Sequence, residues 1–365
     1  MADLPKNIAI VYDRVNKWGG AEQVLLALHE LFPQVPLYTA VYNPATASWV
    51  KVFPEIIPTF LQYFPFAKSR HELYPWLTPL AFESLNFDQF DAVISVTSAD
   101  AKGIITKPHT FHFCYCLTPT RYLWSHEIFY KSKVSKLFHP VFNYLKVWDK
   151  IAANRPDSYI AISKTVQSRI SSFYHRPSQV VYPPVDIERF SPGTKNDHFL
   201  SVGRLVSYKR PEIVVQLFND LNLPLVMIGS GREEKKLRKL ARPNIKILGH
   251  VSESELITYY QNSKALISVH EEDFGIVYAE AQAAGKPVLA LNRGAVSEIV
   301  VQNETGYLAS DIEDLKSAIA DFSKFKFESQ SSIANSQRFS RERFGREFVK
   351  VFNEAWTKYK HTLLS

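Results

Sequence analysis

The chain of 365 residues holds only two cysteines, Cys114 and Cys116. They stand one residue apart in FHFCYCLTP, and no second pair exists to complete a zinc site. A disulfide-stapled scaffold and a cysteine-ligated zinc site are therefore excluded. The spacing places both thiols on one face of a strand, in a reducing compartment. Long apolar runs are missing too. The opening MADLPKNIAIVYD passes straight into a strand pattern without an apolar leader, and no later stretch of about 18 apolar residues could span a bilayer. The expectation is a cytoplasmic chain, soluble or held peripherally on the inner face of the cytoplasmic membrane. No three-glycine dinucleotide fingerprint is present, which leaves hydride transfer without support. Short-period repeats, low-complexity tracts and nucleic-acid motifs are absent as well.

What is present is enough chain for two globular domains, each able to bury its own core. The formal net charge of +7 is modest for this length and suggests an anionic partner without specifying which. Short apolar runs alternate with helix-length amphipathic segments, the pattern of an α/β protein whose parallel sheets are covered by helices. The alternation occurs twice. Strands are expected at 7–13, 36–42, 91–96, 110–117 and 157–163, then at 198–205, 224–230, 245–250, 265–270 and 287–292. Between the two series, Pro183 and Pro184 stiffen VVYPPVDIERFSPGTKND and the run 191–197 is polar, so the boundary is expected near residue 192. This gives an amino-terminal domain over 1–192 and a second over 193–340. A final helix over 341–365 follows, and its three- and four-residue spacing puts Phe344, Phe348, Phe352, Trp356 and Tyr359 on one stripe that requires an apolar dock.

Open parallel sheets bind ligands beyond the carboxyl ends of their strands, so two such domains facing one another form a cleft walled by strand-to-helix loops. The unusual residues fall in those loops. Gly19 and Gly20 precede a helix whose free N–H groups suit an anion, although a plain tight turn explains the pair equally well. Arg204 and Lys209 flank the loop after the first strand of the second domain, a planar fork and a mobile point charge suited to phosphate. Gly229 and Gly231, on either side of Ser230, leave room for close approach. In HEEDFGIVYAEA, Glu272 stands before a helix beginning near Gly275, and Glu280 lies more than a turn inside it. The N–H groups of Phe274 and Gly275 favour a phosphate, and a carboxylate can accept from both hydroxyls of a ribose. The plain alternative has Glu272 capping the helix and Glu280 solvating its outer face.

Glu272 and Glu280 with seven residues between them, GGAE near the amino terminus, GRLVSYKRPE, YPPVD and TGYLAS together resemble the retaining GT-B glycosyltransferases of the large group 1 family, over nearly the whole chain. DAVISVTSADAKGIIT, CYCLTPTRYLW and SKTVQSRI resemble the branch that builds O-antigens and exopolysaccharides, often from GDP-mannose. The resemblance implies two Rossmann-like domains across a cleft, with the last helix crossing back to the first domain. It implies that Arg204 and Lys209 hold the donor diphosphate, that Glu272 contacts the transferred sugar, and that Glu280 holds the ribose. Donor contacts are further implied for Gly19, Gly20, Gly229, Ser230, His250, Val251, Phe274, Gly275 and Ile276. Acceptor or sugar contacts are implied for Leu117, Arg121 and Tyr122. No metal or other cofactor is needed, in keeping with the lack of an Asp-x-Asp pair at a strand end; the nucleotide sugar is a co-substrate.

Two positions depart from the pattern. Leu117 stands where the branch carries a His, with His109, His112 and His126 as the spatial substitutes to weigh, and Ala295 stands where relatives often have a second glycine. On the acceptor side, Lys131, Lys133, Lys136, Lys146, Lys150 and Arg155 are interleaved with aromatics, and 60–77 is aromatic too. Both segments suit a membrane surface carrying a lipid-linked saccharide, or else helices packed on their own domain. Nucleic acid is not an expected partner. The combined expectation is a hexosyltransferase, with a UDP-sugar or dTDP-deoxysugar donor as the first alternative to GDP-mannose, and a non-catalytic nucleotide-sugar-binding scaffold as the alternative of another class.

Overall fold

The computed structural model describes residues 4–125, 127–132, 139–193 and 197–364. It separates into two units, Met1–Pro183 with Phe344–Ser365, and Pro184–Arg343. The division falls at the two prolines, earlier than residue 192, because the chain after Pro184 is already tied into the second unit. Val185 N–H donates to the Phe339 carbonyl at 2.8 Å, and Arg189 pairs with Glu280 at 2.6 Å.

The first unit contains seven strands: β1 (Ile8–Tyr12), β2 (Leu37–Thr39), β3 (Ile56–Pro58), β4 (Ala92–Thr97), β5 (Phe111–Cys116), β6 (Ser158–Ala161) and β7 (Gln179–Val180). Their order across the sheet is β3-β2-β1-β4-β5-β6-β7, with every pair parallel. All six residues of β4 are buried, as a central parallel strand covered on both faces requires. Two of these strands escape the sequence pattern. β3 is a three-residue edge strand ending in Pro58, and β7 has two residues, too few to show a period.

The second unit contains β8 (His198–Val202), β9 (Leu225–Ile228), β10 (Ile245–Gly249), β11 (Ser263–Ser268), β12 (Val288–Leu291) and β13 (Gly306–Ala309), ordered β10-β9-β8-β11-β12-β13 and again all parallel. β13 also escapes the sequence pattern; within TGYLAS its ends are a glycine and an alanine, and only four residues pair. Both units are thus Rossmann-like. The strand order reverses between β1 and β4 in one and between β8 and β11 in the other, the switch points where such sheets bind ligands.

Helix Arg341–Leu364 carries the expected aromatic stripe, and from Phe344 onward it belongs to the first unit. Tyr115 meets Phe344 and Phe348, Phe113 meets Phe348 and Phe352, and Phe111 meets Phe352, Trp356 and Tyr359. Four helical residues rise about 6 Å, close to the roughly 6.6 Å of two strand residues, so an antiparallel helix keeps register with every second residue of β5. Cys114 and Cys116 lie on the other face of that strand, buried and reduced, and burial pushes the Cys114 thiol up to about 12. Among the described residues no helix is long and apolar enough to cross a membrane.

Candidate active site

At the switch point of the second unit, β8 ends in the loop carrying Arg204 and Lys209, and β11 ends in the loop carrying His270 and Glu272. The chain leaves β8 through a short turn, Ser207–Lys209, and enters helix Pro211–Leu221 with proline at its start, where a missing N–H costs nothing. That turn aims Lys209 at the neighbouring loop. Its Nζ lies 2.6 Å from Glu272 Oε1, and His270 Nε2 reaches the same oxygen at 2.8 Å. Burial pushes the Glu272 carboxyl up, but Lys209 and His270 more than offset this and hold it well below the usual carboxylate range. Glu272 is therefore an anion at neutral pH, an acceptor of hydrogen bonds rather than a proton donor.

Glu272 is not a helix cap. The cap of helix Ile276–Ala283 is Gly275, with no side-chain bond to the first turn. Gly275 is left-handed at φ 96°, and a Cβ there would meet the Tyr278 ring at 2.3 Å. Tyr278 is itself fixed by its hydroxyl 2.9 Å from Ser268 Oγ. The glycine thus lets the helix begin immediately beneath Glu272. Phe274 is buried edge-on against Phe339 at 5.4 Å, and Ile276 is half-buried.

Glu280 is only 5% exposed, so it does not solvate an outer face. Its Oε1 accepts from Arg189 at 2.6 Å and its Oε2 from the Tyr260 hydroxyl at 2.9 Å. Burial raises the carboxyl despite both donors. Each oxygen has a second lone pair, leaving acceptor capacity for two ligand hydroxyls. Glu280 thus belongs to a cluster with Arg189, Tyr260 and Glu253, while Lys209, His270 and Glu272 form another; one loop and helix carry both carboxylates. Arg204 joins neither. It is exposed, donates to the Tyr208 hydroxyl and lies over that ring at 5.9 Å.

The loop after β9 is laced to the loop after β8. Gly203 N–H donates to Ile228 at 3.0 Å, and Leu205 N–H donates to Ser230 at 2.9 Å. Gly229 is needed here because a Cβ would lie 1.9 Å from the Gly203 carbonyl. Ser230 and His250 are exposed at the ends of β9 and β10, with Val251 half-buried beside them. Ala295 donates its N–H to the Glu272 carbonyl at 3.0 Å and so braces the site loop.

His270, Arg189 and Tyr260 join the residues expected from sequence. His270 was legible, two residues before Glu272 in the quoted motif. Arg189 in the linker and Tyr260 on helix Glu253–Asn262 gave no signal, since only folding brings them to Glu280. A cavity of about 450 Å3 lined by Phe199, Lys264, Lys286 and Phe322 opens elsewhere, near the amino ends of β8, β11 and β12, away from these loops.

In the first unit, Gly19 and Gly20 stand at the start of helix Gly20–Leu31 after β1. Beside them is Glu22, whose carboxyl is raised by burial and accepts from Tyr12 at 2.8 Å. Leu117 follows β5, donating its N–H to Thr97 at 2.8 Å, and is half-buried. Arg121 and Tyr122 lie half-buried in the next turn, the Tyr122 ring edge-on to Phe142 at 6.3 Å. His112 is a core residue against Ser95 at 2.8 Å; burial, aided by Arg155, lowers it to about 3. His109 is exposed near the Asp88 carbonyl, and His126 lies outside the described residues.

Much of the basic run is already neutralised. Lys131 and Lys146 both pair with Glu127, and Arg155 pairs with Glu83. Lys150 is exposed, and Lys133 and Lys136 lie outside the described residues. Among the described residues no group of three or more His, Cys, Asp or Glu side chains is placed to hold a metal ion.

Residues 185–338 match the family described as Glycosyl transferases group 1. An uncharacterized glycosyltransferase of Methanocaldococcus jannaschii is 28% identical over 217 residues, covering 57% of this chain and 58% of that protein. The human GDP-Man:Man(3)GlcNAc(2)-PP-Dol alpha-1,2-mannosyltransferase is 30% identical over 211 residues, covering 48% of this chain and 42% of that one. The matched stretches thus span about half the length of these curated relatives. Among solved structures, Anabaena HepE in complex with UDP superposes with a TM-score of 0.71 at 18% identity, covering 95% of this chain and all of that one. The sucrose-phosphate synthase of Thermosynechococcus elongatus gives 0.72 at 14% identity, covering 97% of this chain and 100% of that one. These two likenesses concern the fold.

Proposed function

We propose, from the match of residues 185–338 to the Glycosyl transferases group 1 family, that the chain is a retaining, metal-independent glycosyltransferase. It moves a hexose, mannose from GDP-mannose in the first reading, onto a lipid-linked saccharide during cell-surface polysaccharide synthesis. The observation that carries the reading is the cluster of Lys209, His270 and Glu272 at the β8/β11 switch point. As the bond from the sugar to the diphosphate breaks, negative charge grows on the departing nucleoside diphosphate. Lys209 and Arg204 stabilise it without a metal, and Phe274 and Gly275 offer N–H groups at the helix start. Glu272, held ionised, accepts from hydroxyls of the transferred sugar, and Glu280 accepts from the ribose. Gly19 and Gly20 contact the diphosphate, and Leu117, Arg121 and Tyr122 belong to the sugar or acceptor side. The protein works peripherally on the inner face of the cytoplasmic membrane.

The human relative carries GDP-Man and PP-Dol in its name, which favours the first reading. The UDP held by HepE favours the second, a UDP-sugar donor on the same fold. Leu117 keeps a non-catalytic nucleotide-sugar scaffold as the reading of another class. Purified protein is to be incubated with a panel of nucleotide sugars and membrane extract, while thermal shift is read with GDP, UDP, ADP and dTDP. Release of the nucleoside diphosphate from one donor and stabilisation by the same diphosphate are expected; binding without release establishes the scaffold instead.

A further inference from the structure

The segment 60–80 of the first unit is fastened from below and apolar on top. Leu61, Ala67 and Ala81 are buried with Val41, and Phe60, Tyr74 and Leu77 pack against them. Outside, Tyr63 is 86% exposed, Phe66 71% and Leu80 54%, with Leu73, Trp76 and Phe64 also exposed. Contacts from Phe60 to Phe64, Phe64 to Tyr74 and Tyr74 to Trp76 hold the rings together, so the face is built before any partner arrives.

Phe66 is the telling residue. Its φ is 59°, left-handed, a conformation that bulky L residues avoid, yet its ring stands in solvent instead of the core. The turn is secured by its carbonyl, which accepts from Ser69 and Arg70 N–H at 3.1 and 2.7 Å. Folding alone would favour glycine there. The flanking charge is cationic: Lys68 and Arg70 are exposed against a single exposed acid, Glu72. His71 stays neutral, lowered to about 3 by burial and by Arg14 and Lys17. Asn16 reaches the Lys68 carbonyl at 3.4 Å and His71 Nδ1 at 3.3 Å, which sets the β1 loop bearing Gly19 and Gly20 beside this face.

We propose that the face formed by Tyr63, Phe64, Phe66, Leu73, Trp76 and Leu80 docks on a lipid bilayer with anionic headgroups, its rings entering the interface and Lys68 and Arg70 meeting the phosphates. This rests on the peripheral-membrane part of the proposed function and names the surface that performs it. Helix His139–Ala152 also exposes Tyr144, Val147 and Ile151, but its Lys146 is engaged by Glu127.

The test is co-sedimentation of the full chain with vesicles of phosphatidylcholine alone or mixed with phosphatidylglycerol. The mixed vesicles should bind it and the neutral ones should bind much less. Phe66→Gly should lower the partition coefficient about tenfold, the loss expected for one ring no longer buried, while leaving Tm equal or higher because glycine accepts the left-handed φ. Lys68→Glu with Arg70→Glu should abolish the preference for phosphatidylglycerol. Unchanged binding by Phe66→Gly, or no binding by the parent chain, overturns the assignment. A dimer in sedimentation velocity that Phe66→Gly dissociates also overturns it, giving the face to a second copy. Transfer of the sugar to water or a soluble sugar, read in parallel as the nucleoside diphosphate set free, separates this outcome from the enzymatic one: vesicle binding without that release defeats only the latter.

Discussion

The two switch points share a topology and differ in chemistry. In the first unit, the end of β1 presents Asp13, whose carboxylate accepts from Thr97 Oγ1, from Ser98 N–H and Oγ, and from Asp100 and Ala101 N–H, all between 2.7 and 3.2 Å. In the second, the corresponding ends of β8 and β11 bring Lys209 and His270 to the Glu272 carboxylate, while Arg204 stays exposed against Tyr208. The first carboxylate is consumed in bracing its own loop; the second is paired with Lys209, a cation that a phosphate can also engage. Topology chooses where a parallel sheet can bind, and the side chains there choose the sign of charge it accepts.

The largest effect expected from breaking this contrast is Lys209→Ala. It removes a preorganised cation and should raise the barrier by about 3–4 kcal/mol, lowering kcat more than donor affinity. A loss confined to affinity would reassign Lys209 to binding. Asp13→Ala should come next, destabilising the first unit by about 2–4 kcal/mol through its orphaned donors, while GDP or UDP still shifts Tm. Gly275→Ala forces a Cβ into Tyr278 at a left-handed position and should cost about 1–3 kcal/mol, read by denaturant unfolding. Glu280→Gln should weaken donor binding by about 1.5–3 kcal/mol in titration calorimetry, with kcat at saturation nearly unchanged.

A last expectation concerns pH. Burial, with Asp13 nearby, pushes Asp100 up to about 7 from its ordinary 3.8. The folded chain then holds a proton that the unfolded chain has released, so the contribution of Asp100 to stability is full below about 4 and is lost as pH rises towards 7. His112, lowered to about 3, acts oppositely: its contribution is full above its ordinary 6.5 and falls on acidification. Asp100→Asn should remove only the first trend, making the variant relatively more stable at pH 7 than at pH 4, by Tm across that range.

The sequence alone determined the parallel, twice-repeated α/β pattern, the aromatic stripe of the last helix and the Glu272 motif. Each is written locally, as a period or a fixed spacing within one loop and helix. Tertiary structure decided the rest. Lys209 meets Glu272 across 63 residues of chain, and Arg189 meets Glu280 across 91. The boundary moved to Pro183 because Val185 and Arg189 find partners in the second unit, and no local composition announces such pairings. The same holds for charge: the basic run reads as a cationic rim until folding brings Lys146 to Glu127 and Arg155 to Glu83. Spacing fixes which side chains share a face; only the packed sheet fixes which distant side chains neutralise, orient or bury them, because those interactions act over a few ångströms and take no account of separation along the chain.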